Sequence, residues 1–115
     1  MKLPHLDPLL FAKEILQVDD SKAEVLCEFN IIPTLSMFIE AAAQSSASFN
    51  NQEEDAKIGF LTTVKSIKLL EDIENTTYKF NLNKVVDMGN IKQFNFKANS
   101  NNTTIVSGTF TIFVP

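Results

Sequence analysis

A chain of 115 residues can build one domain with a real core but not two. All ten basic residues are lysine and the net charge is −4, which argues against nucleic acid, because base readout and phosphate clamps favour arginine. One cysteine, Cys27, and one histidine, His5, leave no intrachain disulfide and nearly exclude a zinc site or a Ser-His-Asp triad within one chain.

The N-terminal residues show no secretory pattern, and no stretch has the ~18 uncharged apolar residues of a membrane span. A cytoplasmic protein with no membrane contact is the expectation. In chain order, residues 9–18 (LLFAKEILQV) and 22–31 (KAEVLCEFNI) flank the polar cluster Asp19, Asp20 and Ser21. In the second run Ala23, Val25, Cys27, Phe29 and Ile31 alternate with Lys22, Glu24, Glu28 and Asn30, and Leu26 is the one apolar exception. Period two predicts a half-buried strand, and the two runs read as an antiparallel hairpin.

Pro33 and Thr34 then open a helix over residues 34–49 (TLSMFIEAAAQSSASF), with Thr34 as N-cap and an end in the polar stretch 50–55. Apolar residues occupy nearly every azimuth, the pattern of a buried helix. Ser36, Glu40, Gln44 and Ser48 recur every four residues as one drifting polar stripe, which points to a groove or an interface. Glu40 is the only charged residue in the run. A carboxylate in such surroundings faces a large desolvation cost if buried, so it takes a proton, a set of donors, or a task.

From there the pattern is all strand. Residues 58–70, 76–86, 91–98 and 103–114 are rich in Phe, Val, Ile, Thr and Tyr, and the last three are separated by short turns at 87–90 and 99–102. The order predicts an α+β fold, a long central helix wrapped by a curled antiparallel sheet of about six strands, because that arrangement buries the helix most simply.

Three stretches carry a family resemblance. They are Leu3-Pro4-His5 followed by Pro8-Leu9-Leu10-Phe11, then Ile39-Glu40-Ala41-Ala42-Ala43-Gln44, then Ile58-Gly59-Phe60-Leu61 through Lys68. Together they resemble the beta-hydroxyacyl-acyl-carrier-protein dehydratases of the hotdog fold, over essentially the whole chain. The resemblance implies a single hotdog domain over residues 1–115 and two protomers paired into a continuous sheet. It also implies an interface tunnel for the acyl-pantetheine arm, with Glu40 as the catalytic acid and Gln44 orienting its neighbours. The family's second catalytic group is a histidine in the loop before the helix. Here that loop reads Glu28-Phe29-Asn30-Ile31-Ile32-Pro33, without histidine or glycine, and His5 does not match the catalytic position by motif.

The function expected on this basis is binding of an acyl thioester, on acyl-carrier protein or CoA, by a dehydratase-like protein of fatty-acid or polyketide-type metabolism with a degenerate site. One alternative is a thioester hydrolase that uses Glu40 without a histidine. Another is a non-catalytic subunit that pairs with an active hotdog dehydratase. The expected partner is a second copy or another hotdog protein, with no cofactor and no metal. Backbone amides at Thr34, Leu35 and Ser36 are placed to polarise a thioester carbonyl. Phe38 and Gln44 are the further candidate substrate contacts. Plainer readings stand beside these: core packing for Met37, Phe38 and Phe49, interface polarity for Ser36 and Gln44, a solvated strand face for Lys65 and Lys68, and a small buried hydrophobe for Cys27.

Overall fold

The computed structural model describes residues 11–50 and 60–113. Strands β1 (Ala12–Val18) and β2 (Lys22–Glu28) form the expected antiparallel hairpin, and Ala23, Val25 and Cys27 all face inward and are buried. Asp19 closes the turn: its Oδ1 accepts from the backbone N–H groups of Ser21 and Lys22, each at 2.8 Å. Those bonds stabilise the ionised form and hold its carboxyl below the usual carboxylate range.

The alternation does not run as far as predicted. Phe29 is still buried, but Ile31 is 62% exposed and β2 has ended at Glu28. Pro33 lacks an N–H and restricts the residue before it, so the ladder cannot continue into the helix start.

Thr34 caps helix α1 (Leu35–Ser45), its Oγ1 accepting from Met37 N at 3.3 Å. At 11 residues α1 is shorter than the long helix expected over 34–49. The serines explain the early end. Ser45 Oγ donates to Ala41 O at 2.8 Å and Ser46 Oγ to Ala43 O at 2.6 Å, offering the last carbonyls side-chain partners in place of backbone ones. The chain then tightens into a 3₁₀ turn, Ser46–Asn50. Nor is the helix buried all round. Phe38, Ala41, Ala42, Gln44 and Ser45 are buried, whereas Leu35 is 37% exposed and Ser36 and Glu40 are on the surface.

Four strands follow: β3 (Phe60–Leu69), β4 (Thr77–Asp87), β5 (Ile91–Ser100) and β6 (Thr103–Phe113). Between β4 and β5, Gly89 takes φ 78° and its N–H donates to Asp87 Oδ1 at 3.1 Å. Between β5 and β6, Asn101 and Asn102 both have positive φ, at 51° and 64°, as a two-residue turn matched to strand twist requires. The six strands form one sheet in the order β1-β2-β4-β5-β6-β3, antiparallel at every pairing.

The sheet curls around α1 through aromatic packing. Phe38 meets Tyr78 edge-on with ring centroids 4.8 Å apart and stacks on Phe80 at 6.0 Å. The row continues from Phe80 through Phe96 and Phe110 to Phe94, all buried. Burying each such ring contributes about 1.5–3 kcal/mol, and Phe38 is the ring by which the helix joins this row of the sheet. No helix among the described residues is long and apolar enough to cross a membrane.

Candidate functional site around Glu40

The polar stripe of α1 does not stay on one side of the molecule. Steps of four residues advance the azimuth by ~40° each, so a stripe that starts in solvent turns toward the core within three positions. Ser36 and Glu40 are therefore exposed, whereas Gln44 is 1% exposed. In a single protomer Glu40 meets water, and the desolvation expected from its apolar neighbours in sequence is not imposed on it there.

Gln44 joins the helix to the start of β1. Its Oε1 accepts from Phe11 N at 2.7 Å and Ala12 N at 3.3 Å, pinning the start of β1 to the helix. With the carbonyl side committed to those two donors, the amide nitrogen turns the other way and donates to Glu40 Oε1 at 3.5 Å, a long bond. Gln44 thus lies beneath the carboxylate with its amide nitrogen directed at it.

The helix start supplies the rest of the surface. Thr34 is taken up by the cap: its Oγ1 accepts from Met37 N, its N–H donates to Met37 Sδ at 3.4 Å, and its carbonyl accepts from Met37 N and Phe38 N, so neither hydroxyl nor amide is left for a ligand. Leu35 and Ser36 lie exposed on the first turn, whose leading N–H groups lack intrahelical carbonyl partners in any α-helix. Phe38 goes elsewhere: it is fully buried among Phe29, Tyr78 and Phe80, on the inward side of the helix. The fold brings Leu35, Ser36 and Glu40 to one surface, ties Gln44 to Glu40 from below, and places Phe38 in the core.

Sequence reasoning missed two apolar residues here. Ile31 and Ile32, 62% and 49% exposed, lie in the segment that leads into α1. Two β-branched residues directly before Pro33 were the available signal. His5 and the Leu3-Pro4-His5 motif lie outside the described residues, as do Ile58 and Gly59. Lys65 and Lys68 are exposed on β3, as the strand pattern predicts.

Cys27 is no alternative nucleophile. It is buried with its thiol 3.4 Å from Ser45 Oγ, and burial pushes its pKa up to about 12. Among the described residues no cluster of three or more His, Cys, Asp or Glu side chains is arranged to hold a metal ion.

No family model matches the sequence, and no curated protein matches it. Solved structures do match. The dehydratase heterocomplex ApeI:P from Xenorhabdus doucetiae aligns with a TM-score of 0.80 at 16% identity, over 98% of this chain and 88% of that one. An HP0420 homologue from Helicobacter felis aligns with a TM-score of 0.70 at 18% identity, over 97% and 94%. A hypothetical thioesterase with coenzyme A from Streptococcus pneumoniae aligns with a TM-score of 0.69 at 15% identity, over 89% and 84%. Likeness at these identities speaks to architecture, and with the strand order and the central helix it establishes that this chain is a hotdog-fold protein.

Proposed function

We propose that this chain binds acyl thioesters, carried by acyl-carrier protein or CoA, at the surface of α1 that bears Glu40, as a dehydratase-like cytoplasmic protein of fatty-acid or polyketide-type metabolism. The observation that carries the reading is the pair formed by an exposed Glu40 and a buried, fixed Gln44 that donates to it. A carboxylate held at the surface, with Leu35 exposed on the same helix and Ile31 and Ile32 exposed in the segment before it, is suited to being covered by a second chain. Such a cover excludes water and strengthens the electrostatics of whatever the carboxylate does.

The second chain is a copy of this one or another hotdog protein. Strand β3 lies at the sheet edge and exposes Leu61 and Val64, so an incoming strand gains both backbone bonds and apolar contact there. Likeness to a dehydratase heterocomplex supports the heteromeric form. Dehydration needs a base for the alpha proton and an acid for the leaving hydroxyl. With His5 as the chain's only histidine, a partner that contributes one would complete the pair.

The test is to measure the mass of the pure protein in solution and the binding of beta-hydroxyacyl and enoyl thioesters, alone and with candidate hotdog partners. Loss of binding or turnover in Glu40→Gln at unchanged fold supports the proposal. Equal thioester binding and equal turnover by wild type and Glu40→Gln sink it.

A second reading, thioester hydrolysis, is favoured by the absence of any histidine other than His5. Glu40 then serves as general base or nucleophile, and the amides of Leu35 and Ser36 meet the carbonyl oxygen. Release of free thiol from acyl-CoA by the pure protein separates this chemistry from dehydration.

A further inference from the structure

A trough of about 730 Å³ crosses the sheet on the face turned away from α1, with residues from all six strands along it. The register explains its form. Ala23, Leu82, Phe96 and Gly108 pair in one transverse row, and the first three send their side chains into the core. On the outer face this row is bare backbone. On one side of it stands the row Glu24, Asn81, Lys97, Ser107 and Lys68, and on the other Asn83, Asn95 and Thr109, again paired across the strands. The two rows are two residues apart along each strand, ~7 Å, which admits a single extended chain. From β2 to β3 the floor crosses four strand spacings, ~19 Å, the length of about six extended residues.

The charge along the trough is uneven. Lys97 and Lys68 both pair with Ser107 in register, so two cations flank one hydroxyl at the β6–β3 end. Asp19, Glu24 and Lys22 line the β1–β2 end, where carboxylates outnumber cations. Glu24 lies 3.8 Å from Lys79, an exposed and weak pair. Between the ends are the carboxamides of Asn81, Asn83 and Asn95. A carboxamide has one acceptor and N–H donors, the same complement as a peptide unit. Asn95 Oδ1 already accepts from Thr109 Oγ1 at 2.8 Å, which leaves its N–H groups as donors. Asn81 Oδ1 is the one side-chain nitrogen or oxygen among the described residues that is buried without a hydrogen-bond partner. Such an oxygen is an acceptor that a water or a ligand N–H can satisfy.

We propose that the trough binds an extended peptide. Its acidic end, a C-terminal carboxylate or an acidic side chain, lies over Lys97 and Lys68, and its peptide groups bond to Asn81, Asn83 and Asn95. Asn81 turns outward to take a peptide N–H. The site is independent of the Glu40 surface, because the whole sheet lies between them.

The test uses the full chain, isotope-labelled, titrated with the hexapeptide acetyl-Ser-Ala-Gly-Ala-Ser-Asp and followed by amide chemical shifts. The same peptide with Asn-amide as its last residue, inorganic phosphate and acetate serve as comparison probes. The expected result is saturable shifts clustered on β4, β5 and β6, weaker by at least about tenfold in the double variant Lys68→Glu, Lys97→Glu. Asn81→Leu weakens binding several-fold with the fold intact by circular dichroism. The proposal is overturned by the absence of saturable shifts, by equal binding of the uncharged peptide, or by the same shifts at the same affinity with phosphate or acetate, which would mean an adventitious ion only.

Discussion

Gln44 and Glu40 stand one turn apart on α1, joined by a 3.5 Å bond from Nε2 to Oε1, yet Gln44 is buried and Glu40 reaches solvent. The buried partner fixes the exposed one. Replacing Gln44 by Leu removes the acceptor for Phe11 N and Ala12 N and leaves those donors unpaired. The expected loss is about 2 kcal/mol. Urea unfolding checks it as a lower midpoint at unchanged slope.

Glu40 itself carries little of the fold. Glu40→Gln is expected to change stability by less than about 0.5 kcal/mol, as for an ordinary surface position, while thioester binding or turnover falls. A thermal melt beside a binding titration measures both. A large drop in melting temperature would assign the carboxylate a structural role instead.

The bulge in β3 depends on a glycine in β6, the strand it pairs with. Ser66 takes φ 56° where the β3–β6 register slips between Lys65 and Lys68, and Ile67 turns inward onto Gly108. A Cβ at Gly108 would collide with Ile67 Cδ1 and lie 3.0 Å from Phe96 Cε1. Gly108→Ala is expected to destabilise by about 1–3 kcal/mol through overpacking. Adding Ile67→Ala should recover part of that loss, so the double variant is more stable than the sum of the single effects predicts.

Cys27 supplies a pH prediction. Its thiol, ordinarily near 9.0, is pushed up to about 12 in the fold, chiefly by burial. Between these values the unfolded chain releases a proton that the folded chain keeps. The contribution is therefore fully present below pH 9.0 and is lost progressively as pH rises toward about 12. Cys27→Ala should flatten that part of the stability profile. In the native protein, thiol reagents at neutral pH should label Cys27 only at the rate of unfolding.

Much of the fold was legible because strands with one buried face alternate with period two. Lys22 through Phe29 declares its inward face without reference to the rest of the chain, and Asn101 and Asn102 mark a turn by their tolerance of positive φ. The helix was harder to read. Counting apolar residues around α1 cannot tell which azimuth meets the sheet, so the pattern reads as a helix buried all round, whereas Leu35 lies 37% exposed. Its length was overestimated because serine hydroxyls compete for the last carbonyls, a local effect that an apolar run conceals.

The sequence by itself determined the strands, the turns, the capped helix and the presence of one carboxylate in an apolar segment, since each follows from local backbone preference and side-chain period. Only the tertiary structure decided that this carboxylate faces solvent while the glutamine one turn on is buried beneath it. That outcome depends on how α1 is rotated against β1 and the sheet, and the rotation is set by Phe38 meeting Tyr78 and Phe80 and by Gln44 meeting the backbone of Phe11. Contacts between residues more than thirty positions apart have no signature in any local window of the chain.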